Sequence, residues 1–253
     1  GGAAKPKGGL LKILVAAIVV AVVGYFAVQQ HWFAAKPKIA YDGPTAAWDF
    51  WGGDSGGTHY SPVNQITPEN VWALKPAWTY HVGLIEAPEG LSPTFEATPI
   101  TAEGRLFVCS GAGRIAAVDP ATGKEIWVAD PKSDNFSTYL INCRGVAYGR
   151  DPQVKEGEAC AGRIFAGTLD FRLIALDAKD GKPCASFGKD GVVDLKTDIG
   201  AHERGDISNS SPPVILDGKV IINGRIVDNM RADVPAGAIR AFDMHTGAVA
   251  WVW

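Results

Sequence analysis

Ala117-Val-Asp119-Pro-Ala-Thr-Gly123-Lys-Glu-Ile-Trp127 reads as a tight turn between two strands, and the chain writes it three times. The later copies are Ala175-Leu-Asp177-Ala-Lys-Asp-Gly181 and Ala241-Phe-Asp243-Met-His-Thr-Gly247-Ala-Val-Ala-Trp251. They return after about 60 residues, a period that marks a repeated supersecondary unit. The residue types have a physical cause: the carboxylate can accept backbone N–H bonds, and glycine takes positive φ without strain. Trp127 and Trp251 each follow their glycine by four residues, which sets a large flat side chain at the seam between neighbouring sheets. The second copy offers only Phe187, six residues after its glycine, and is degenerate.

Short apolar runs surround the turns. Thr98 to Thr101, Arg105 to Ser110, Arg114 to Asp119 and Lys124 to Val128 are rich in Val, Ile, Phe and Trp and are separated by turn residues, the pattern of four antiparallel strands. Arg163 to Gly167 and Leu173 to Asp177 are the clearest strands of the second unit; Lys219 to Asn223, Ala238 to Asp243 and Ala248 to Val252 belong to the third. Four-stranded sheets repeated at this interval are the blades of an all-β propeller. The 253 residues hold about three blades and an N-terminal strip, whereas propellers close with about four to eight. The chain starts without Met and stops at Trp251-Val-Trp253 in mid-pattern. It is therefore expected to be the N-terminal part of a longer propeller, with one sheet edge left open.

Hydrophobic residues make up 47% of the chain, charged residues 20%, and the formal charge is −3, so no basic surface points to nucleic acid. Ile13 to Val28 carries no charge, Lys5 and Lys7 precede it, and Trp32 and Phe33 follow. This predicts a cytoplasmic segment at 1–9, a transmembrane helix at 10–30, a linker at 31–47 and a propeller from 48 to 253 outside the cytoplasm. A cleaved signal peptide is the rival reading, opposed by the length of the run and the lack of an A-x-A site after it. Cys109, Cys143, Cys160 and Cys184 form an even set without a C-x-x-C pair, which fits an oxidising compartment and excludes a zinc pattern. Four cysteines allow three connectivities. Cys143 and Cys160 are close in sequence, and a bridge between them, worth roughly 3 kcal/mol in the chain-entropy model, is one hypothesis among the three.

The repeated A-x-D-x-x-T-G-x-x-x-W turn resembles the tryptophan-docking motif of the pyrroloquinoline quinone (PQQ) dehydrogenases, which are eight-bladed propellers. Trp51-Gly-Gly-Asp-Ser-Gly-Gly-Thr-His-Tyr-Ser-Pro62, then Gln65-Ile66, Asn70-Val71 and Leu74-Lys-Pro-Ala-Trp78, is similar to the family's N-terminal signature. The match is nearest to the membrane-bound glucose dehydrogenase type, which shares an anchor before the propeller, cysteines in the contexts Phe-Val-Cys109, Asn-Cys143-Arg-Gly, Ala-Cys160 and Lys-Pro-Cys184, and the string Ser211-Pro-Pro213.

The resemblance implies site residues. Glu96 matches an acid near the quinone, Arg144 an arginine that pairs with a PQQ carboxylate, and Ser210 a hydroxyl that hydrogen-bonds the cofactor. Asp228, in the long connection between two strands of the third blade, matches a carboxylate ligand of a divalent cation, Ca²⁺ or Mg²⁺, which takes oxygen donors. Read without the family, these would be a solvent-facing acid, a surface ion pair, a turn-capping serine and a solvated aspartate. Where the glucose type has a histidine three residues before the motif cysteine, Leu140 stands beside Tyr139, so an apolar or aromatic group would cap the quinone, and quinate, polyols and other cyclic alcohols remain candidates beside glucose. The implied enzyme sits at the bacterial inner membrane with its propeller in the periplasm, oxidises an alcohol or sugar, and passes electrons to ubiquinone. No catalytic base is assigned to this chain, because the family's base lies in later blades. Propellers with this repeat also occur as non-catalytic scaffolds, such as the outer-membrane assembly lipoprotein, which is the competing function.

Overall fold

The computed structural model describes residues 15–26, 47–83, 93–136, 140–229 and 231–253. The chain divides into two units, Gly1–Gly43 and Pro44–Trp253. In the first, residues 15–26 are helical and exposed. Among the described residues no helix is long and apolar enough to cross a membrane; positions 10–14 and 27–30 of the expected span lie outside the described residues, as do 1–9 and most of the 31–47 linker.

The second unit contains three four-stranded antiparallel meanders. β1 (Ile100–Ala102), β2 (Arg105–Cys109), β3 (Ile115–Val118) and β4 (Glu125–Ala129) form the first blade. β5 (Ala147–Arg150), β6 (Gly162–Gly167), β7 (Arg172–Asp177) and β8 (Val192–Asp194) form the second. The third blade interrupts sequence order: β9 (Ile207–Ser208) pairs with β12 (Arg225–Ile226) as a separate ribbon, while β10 (Val214–Leu216), β11 (Lys219–Ile222), β13 (Arg240–Asp243) and β14 (Val249–Val252) make the sheet. The expected strands therefore recur in the expected order, with the first shifted to Ile100–Ala102.

The core lies between the blades. Along β6 and β7, Ile164, Ala166, Ile174 and Leu176 face the first blade and share a buried cluster with Phe107, Ile115 and Trp127. The alternate residues Phe165, Leu173 and Ala175 face the third and join Phe187, Val220 and Phe242. A period of two with both sets buried is what a sheet sandwiched between sheets requires.

All three Asp-Gly turns have one construction. Gly123, Gly181 and Gly247 have φ of 71°, 74° and 72°, and each donates its N–H at 2.8 Å to the carbonyl of the aspartate four residues earlier. The aspartate side chain caps the turn: Asp119 Oδ1 accepts from Thr122 N at 2.8 Å and Asp243 Oδ1 from Thr246 N at 2.7 Å. An aromatic plane closes on the glycine, since a Cβ on Gly181 would lie 2.6 Å from the Trp127 ring. Trp127 Nε1 then donates at 3.1 Å to the carbonyl of Ala178, the residue after the turn's aspartate. Trp78 does the same one blade earlier, covering Gly123 and donating to Pro120 O at 3.1 Å. By sequence, Trp78 belongs only to the N-terminal signature. Trp251, expected at a seam, is 39% exposed on β14.

At the degenerate copy the seam is rebuilt without tryptophan. Phe187 is buried in the cluster between the second and third blades, 5.5 Å from Phe165, and Gly188 N donates to Thr246 O at 2.8 Å. The carbonyl after the aspartate, Met244 O, is taken by Arg163 Nη1 at 3.0 Å. Arg163 and Asp151 side chains are fully buried and paired at 2.6 Å. The guanidinium also donates to Cys160 O, His245 O and Ser186 Oγ, so all five of its N–H groups have acceptors. Burial pulls the Arg163 pKa down, while Asp151, Asp243 and Asp177 oppose that.

The disulfides are Cys109–Cys143 and Cys160–Cys184, which overturns the hypothesis of a Cys143–Cys160 bridge. β5 runs between Cys143 and Cys160 and carries them to opposite ends of the second blade. Cys109 ends β2 at the end where Cys143 lies, so nearness in space reverses nearness in sequence. By the chain-entropy model each observed bridge contributes roughly 3–4 kcal/mol.

Candidate functional site

Glu96, Arg144 and Ser210 occupy one position in three successive blades. Each stands three or four residues before the first strand of its blade, β1, β5 or β10, so a propeller geometry brings them to neighbouring points around one end. Arg144 links all three. Its Nη2 lies 3.0 Å from Glu96 Oε2, its Nη1 donates to Ser210 Oγ at 2.7 Å, and its main-chain N–H donates to Ser210 O at 2.7 Å. Thr98 N donates to Arg144 O at 2.9 Å, and Cys143 beside it is anchored to the first blade by its disulfide. The arginine is thus held on both main-chain and side-chain sides.

Glu96 receives more than Arg144. Thr94 Oγ1 donates to its Oε1 at 2.9 Å, and Asn142 Nδ2 to its Oε2 at 2.8 Å. Those bonds, the one from Asn142 foremost, hold its carboxyl below the usual carboxylate range, with the Arg144 charge acting in the same direction. Asn142 and Thr94 were not among the residues read from sequence. A signal existed: in an extended stretch alternate residues share a side, so Asn142 goes with Arg144 while Cys143 faces the other way, toward Cys109.

Arg144 also lines a cavity of about 450 Å³ with Phe50, Trp51, Pro212, Val214 and Leu216, within the size of small-molecule sites. Trp51 reaches it because Gly145 lacks a side chain: a Cβ there would stand 3.1 Å from the Trp51 ring. Trp51 itself stacks edge-on to His59 at 5.1 Å, and its segment is fastened to β1 by the bond from Thr101 N to Trp48 O at 2.7 Å. The donor set fits a flat, carboxylated aromatic group such as PQQ. The two side-chain bonds above use two of five guanidinium N–H groups, the Arg144 side chain is 38% exposed, and the adjoining walls are apolar.

Asp228 stands apart from this group. Arg225 pairs with Ser208 and Ile226 with Ile207, so Asp228 leaves the ribbon at the end away from Ser210. Its Oδ2 accepts from Asn229 Nδ2 at 3.1 Å, and the residue is exposed. Among the described residues no group of three His, Cys, Asp or Glu side chains could hold a metal ion, so the described side chains alone do not complete a cation site. Leu140 is 38% exposed, and Tyr139 lies outside the described residues.

Comparison with known proteins converges on one family. Its model, described as "PQQ: Glucose/ethanol/alcohol dehydrogenase, beta-propeller domain", matches residues 48–253. The glycerol dehydrogenase large subunit of Gluconobacter oxydans is 39% identical over 219 residues, 86% of this chain and 30% of the relative. Quinoprotein glucose dehydrogenase A of Acinetobacter calcoaceticus is 33% identical, over 86% of this chain and 29% of its own length. The chain thus spans under a third of these relatives. Among solved structures, the quinohemoprotein alcohol dehydrogenase of Comamonas testosteroni superposes with a TM-score of 0.64 at 28% identity, covering 83% of this chain and 27% of that one. With three blades of this construction and a family model that spans them, the chain belongs to the β-propeller family of the PQQ-dependent glucose, ethanol and alcohol dehydrogenases.

Proposed function

We propose that this chain is the cofactor-gripping portion of a membrane-anchored, periplasmic PQQ-dependent dehydrogenase of eight blades that oxidises a CH–OH group of a polyol, sugar or cyclic alcohol and delivers the electrons to ubiquinone. The observation that carries the reading is Arg144, held by Glu96 and Ser210 and lining a cavity with Phe50 and Trp51. A guanidinium presented with spare donors is suited to a carboxylate, which it can take in a bidentate fork. Glu96 balances the arginine's charge and keeps its plane oriented. Ser210 Oγ, buried at the third blade, adds a hydroxyl at the same point. Trp51 and Pro212 supply an apolar wall that excludes water from one side. Bound PQQ would supply the two-electron acceptor for the alcohol's hydride. Asp228, at the far end of the β9/β12 ribbon, is suited to give one oxygen to Ca²⁺ or Mg²⁺, with the other ligands drawn from outside the described side chains.

The anchor reading rests on the uncharged run from Ile13 to Val28, of which residues 15–26 are helical. The substrate class rests on the relatives, a glycerol dehydrogenase and a glucose dehydrogenase, since glycerol and glucose are both polyhydroxylated. The test is PQQ titration and dye reduction by the full-length enzyme in membranes, across glycerol, sorbitol, glucose, inositol and quinate. Arg144→Ala should weaken PQQ binding roughly 10–100-fold, the equivalent of losing a charge-assisted hydrogen bond of about 1.5–3 kcal/mol. Absence of PQQ binding and of dye reduction with every alcohol would remove the reading and restore the scaffold.

A further inference from the structure

Asn142 sits in the loop ahead of β5, yet it is only 1% exposed. The two ends of its amide fare differently. Nδ2 donates to Glu96 Oε2 at 2.8 Å, while Oδ1 is buried with no hydrogen-bond partner among the described residues. A flipped amide would set two acceptors against each other, so the Glu96 carboxylate dictates the orientation. An unsatisfied buried carbonyl is destabilising, and an apolar residue of similar size would avoid it. A fold keeps such a group where its other end has a task.

That task is visible in the bonds around Glu96. Oε2 is shared between Asn142 Nδ2 and Arg144 Nη2, and Oε1 takes Thr94 Oγ1. The charged group facing Glu96 is Arg144, from the loop before β5; Thr94, on the segment before β1, and Asn142 are neutral, and Ser210 reaches it through Arg144. Remove Asn142 and the carboxylate is left on Thr94 and a partly exposed arginine, free to turn about its own side-chain bonds. The loop that carries Asn142 is itself fixed, by the Cys109–Cys143 disulfide and by the bond from Thr94 N to Ile141 O at 3.0 Å. A rigid donor at a rigid place can hold a mobile carboxylate.

We propose that Asn142 is a positioning residue of the PQQ site: its buried amide locks Glu96 in one orientation, and Glu96 in turn fixes the direction of the Arg144 guanidinium. The inference rests on the PQQ reading for its functional half and on the geometry alone for its structural half. Asn142 touches no reacting atom.

Two variants and two readouts test it in the full chain. Glu96 titration, followed by carboxyl ¹³C NMR without ligand, should begin below the ordinary glutamate range in the wild type and move up in Asn142→Leu. In Asn142→Asp, which keeps size and shape, two carboxylates would face each other, and one must hold a proton well above the usual range. PQQ affinity of that variant should then be about tenfold weaker at pH 8 and recover toward pH 5, where a shared proton restores the contact, against a wild-type profile without that step. Unchanged Glu96 titration and unchanged affinity in Asn142→Asp would overturn the proposal, and Asn142 would be a packing residue only. Should Asn142→Leu not fold, the pH profile of Asn142→Asp decides alone. If wild type binds no PQQ, the functional reading falls, while the Glu96 titration still decides whether Asn142 controls the carboxylate.

Discussion

The two seams between the three described blades do one job with opposite chemistry. Between the first and second blades, the indole of Trp127 covers Gly181 and hydrogen-bonds Ala178 O, a contact that is mostly apolar area with one polar point. Between the second and third, Arg163 reaches the equivalent carbonyl, Met244 O, from inside a buried ion pair with Asp151, and His245 Nδ1 closes on Asp151 Oδ2 at 2.7 Å. What recurs is therefore the carbonyl after the aspartate and the need for a donor to it; the aromatic ring is one way to meet that need. The indole solution is local and forgiving. The arginine solution demands that every charge keep its partner, because two ions left water to form it.

That contrast predicts unequal responses to mutation. Arg163→Met strands the Asp151 carboxylate in a dry site and should destabilise by about 3–5 kcal/mol, read as a drop in the denaturant midpoint. Adding Asp151→Leu should recover only the part of the loss due to the uncompensated charge, since Cys160 O, Met244 O and His245 O still lack the donor that Arg163 gave them; a double variant no better than the single would show that these carbonyl bonds, and not the ion pairing, build the seam. At the other seam, Trp127→Phe retains the stacking surface but leaves Ala178 O unpaired, for about 1–3 kcal/mol, and no second-site change near Gly181 should be needed to tolerate it. His245→Gln removes one donor to an aspartate that keeps Arg163 and Gln153 N, and should cost about 1 kcal/mol.

The smallest expected effect is in acid. Hydrogen bonds from Thr246 N and its hydroxyl, with His245 N, hold the Asp243 carboxyl below its ordinary value. A depressed folded pKa means that the stability it contributes is complete above the unfolded value of about 3.9 and is lost as pH falls through the folded one. The urea midpoint should decline as pH falls below about 4, and Asp243→Asn should flatten that decline while lowering the plateau. An identical pH profile in both proteins would take Asp243 out of the acid response.

How far each feature could be read in advance follows from how local its cause is. The Asp-Gly turns were legible because a carboxylate, a glycine at φ near 70° and an intervening bond are all set within five residues, and so the three blades could be counted. Glu96, Arg144 and Ser210 were legible from their motif surroundings, and their convergence followed once each was seen to lie just before the first strand of its blade. The Cys143–Cys160 expectation failed because sequence distance ignores the strand between them. Arg163 gave no warning: it stands in an ordinary strand next to Ile164 and Phe165, and only the neighbouring blade makes it the donor to Met244 O. Asn142 was passed over for the same reason, its partner Glu96 being 46 residues away.

Short-range chemistry in the chain was enough to dictate all-β meanders, their period and the aspartate-capped turns, while Glu96, Arg144 and Ser210 were marked only by their resemblance to a family's motifs. Tertiary structure alone decided which cysteines joined, which seam used an indole and which an ion pair, and which amide gripped Glu96. The division has one physical cause. Turn and strand preferences are energies within a few residues, whereas disulfides, buried charges and a shared carboxylate depend on distances between blades, which exist only when the sheets are stacked.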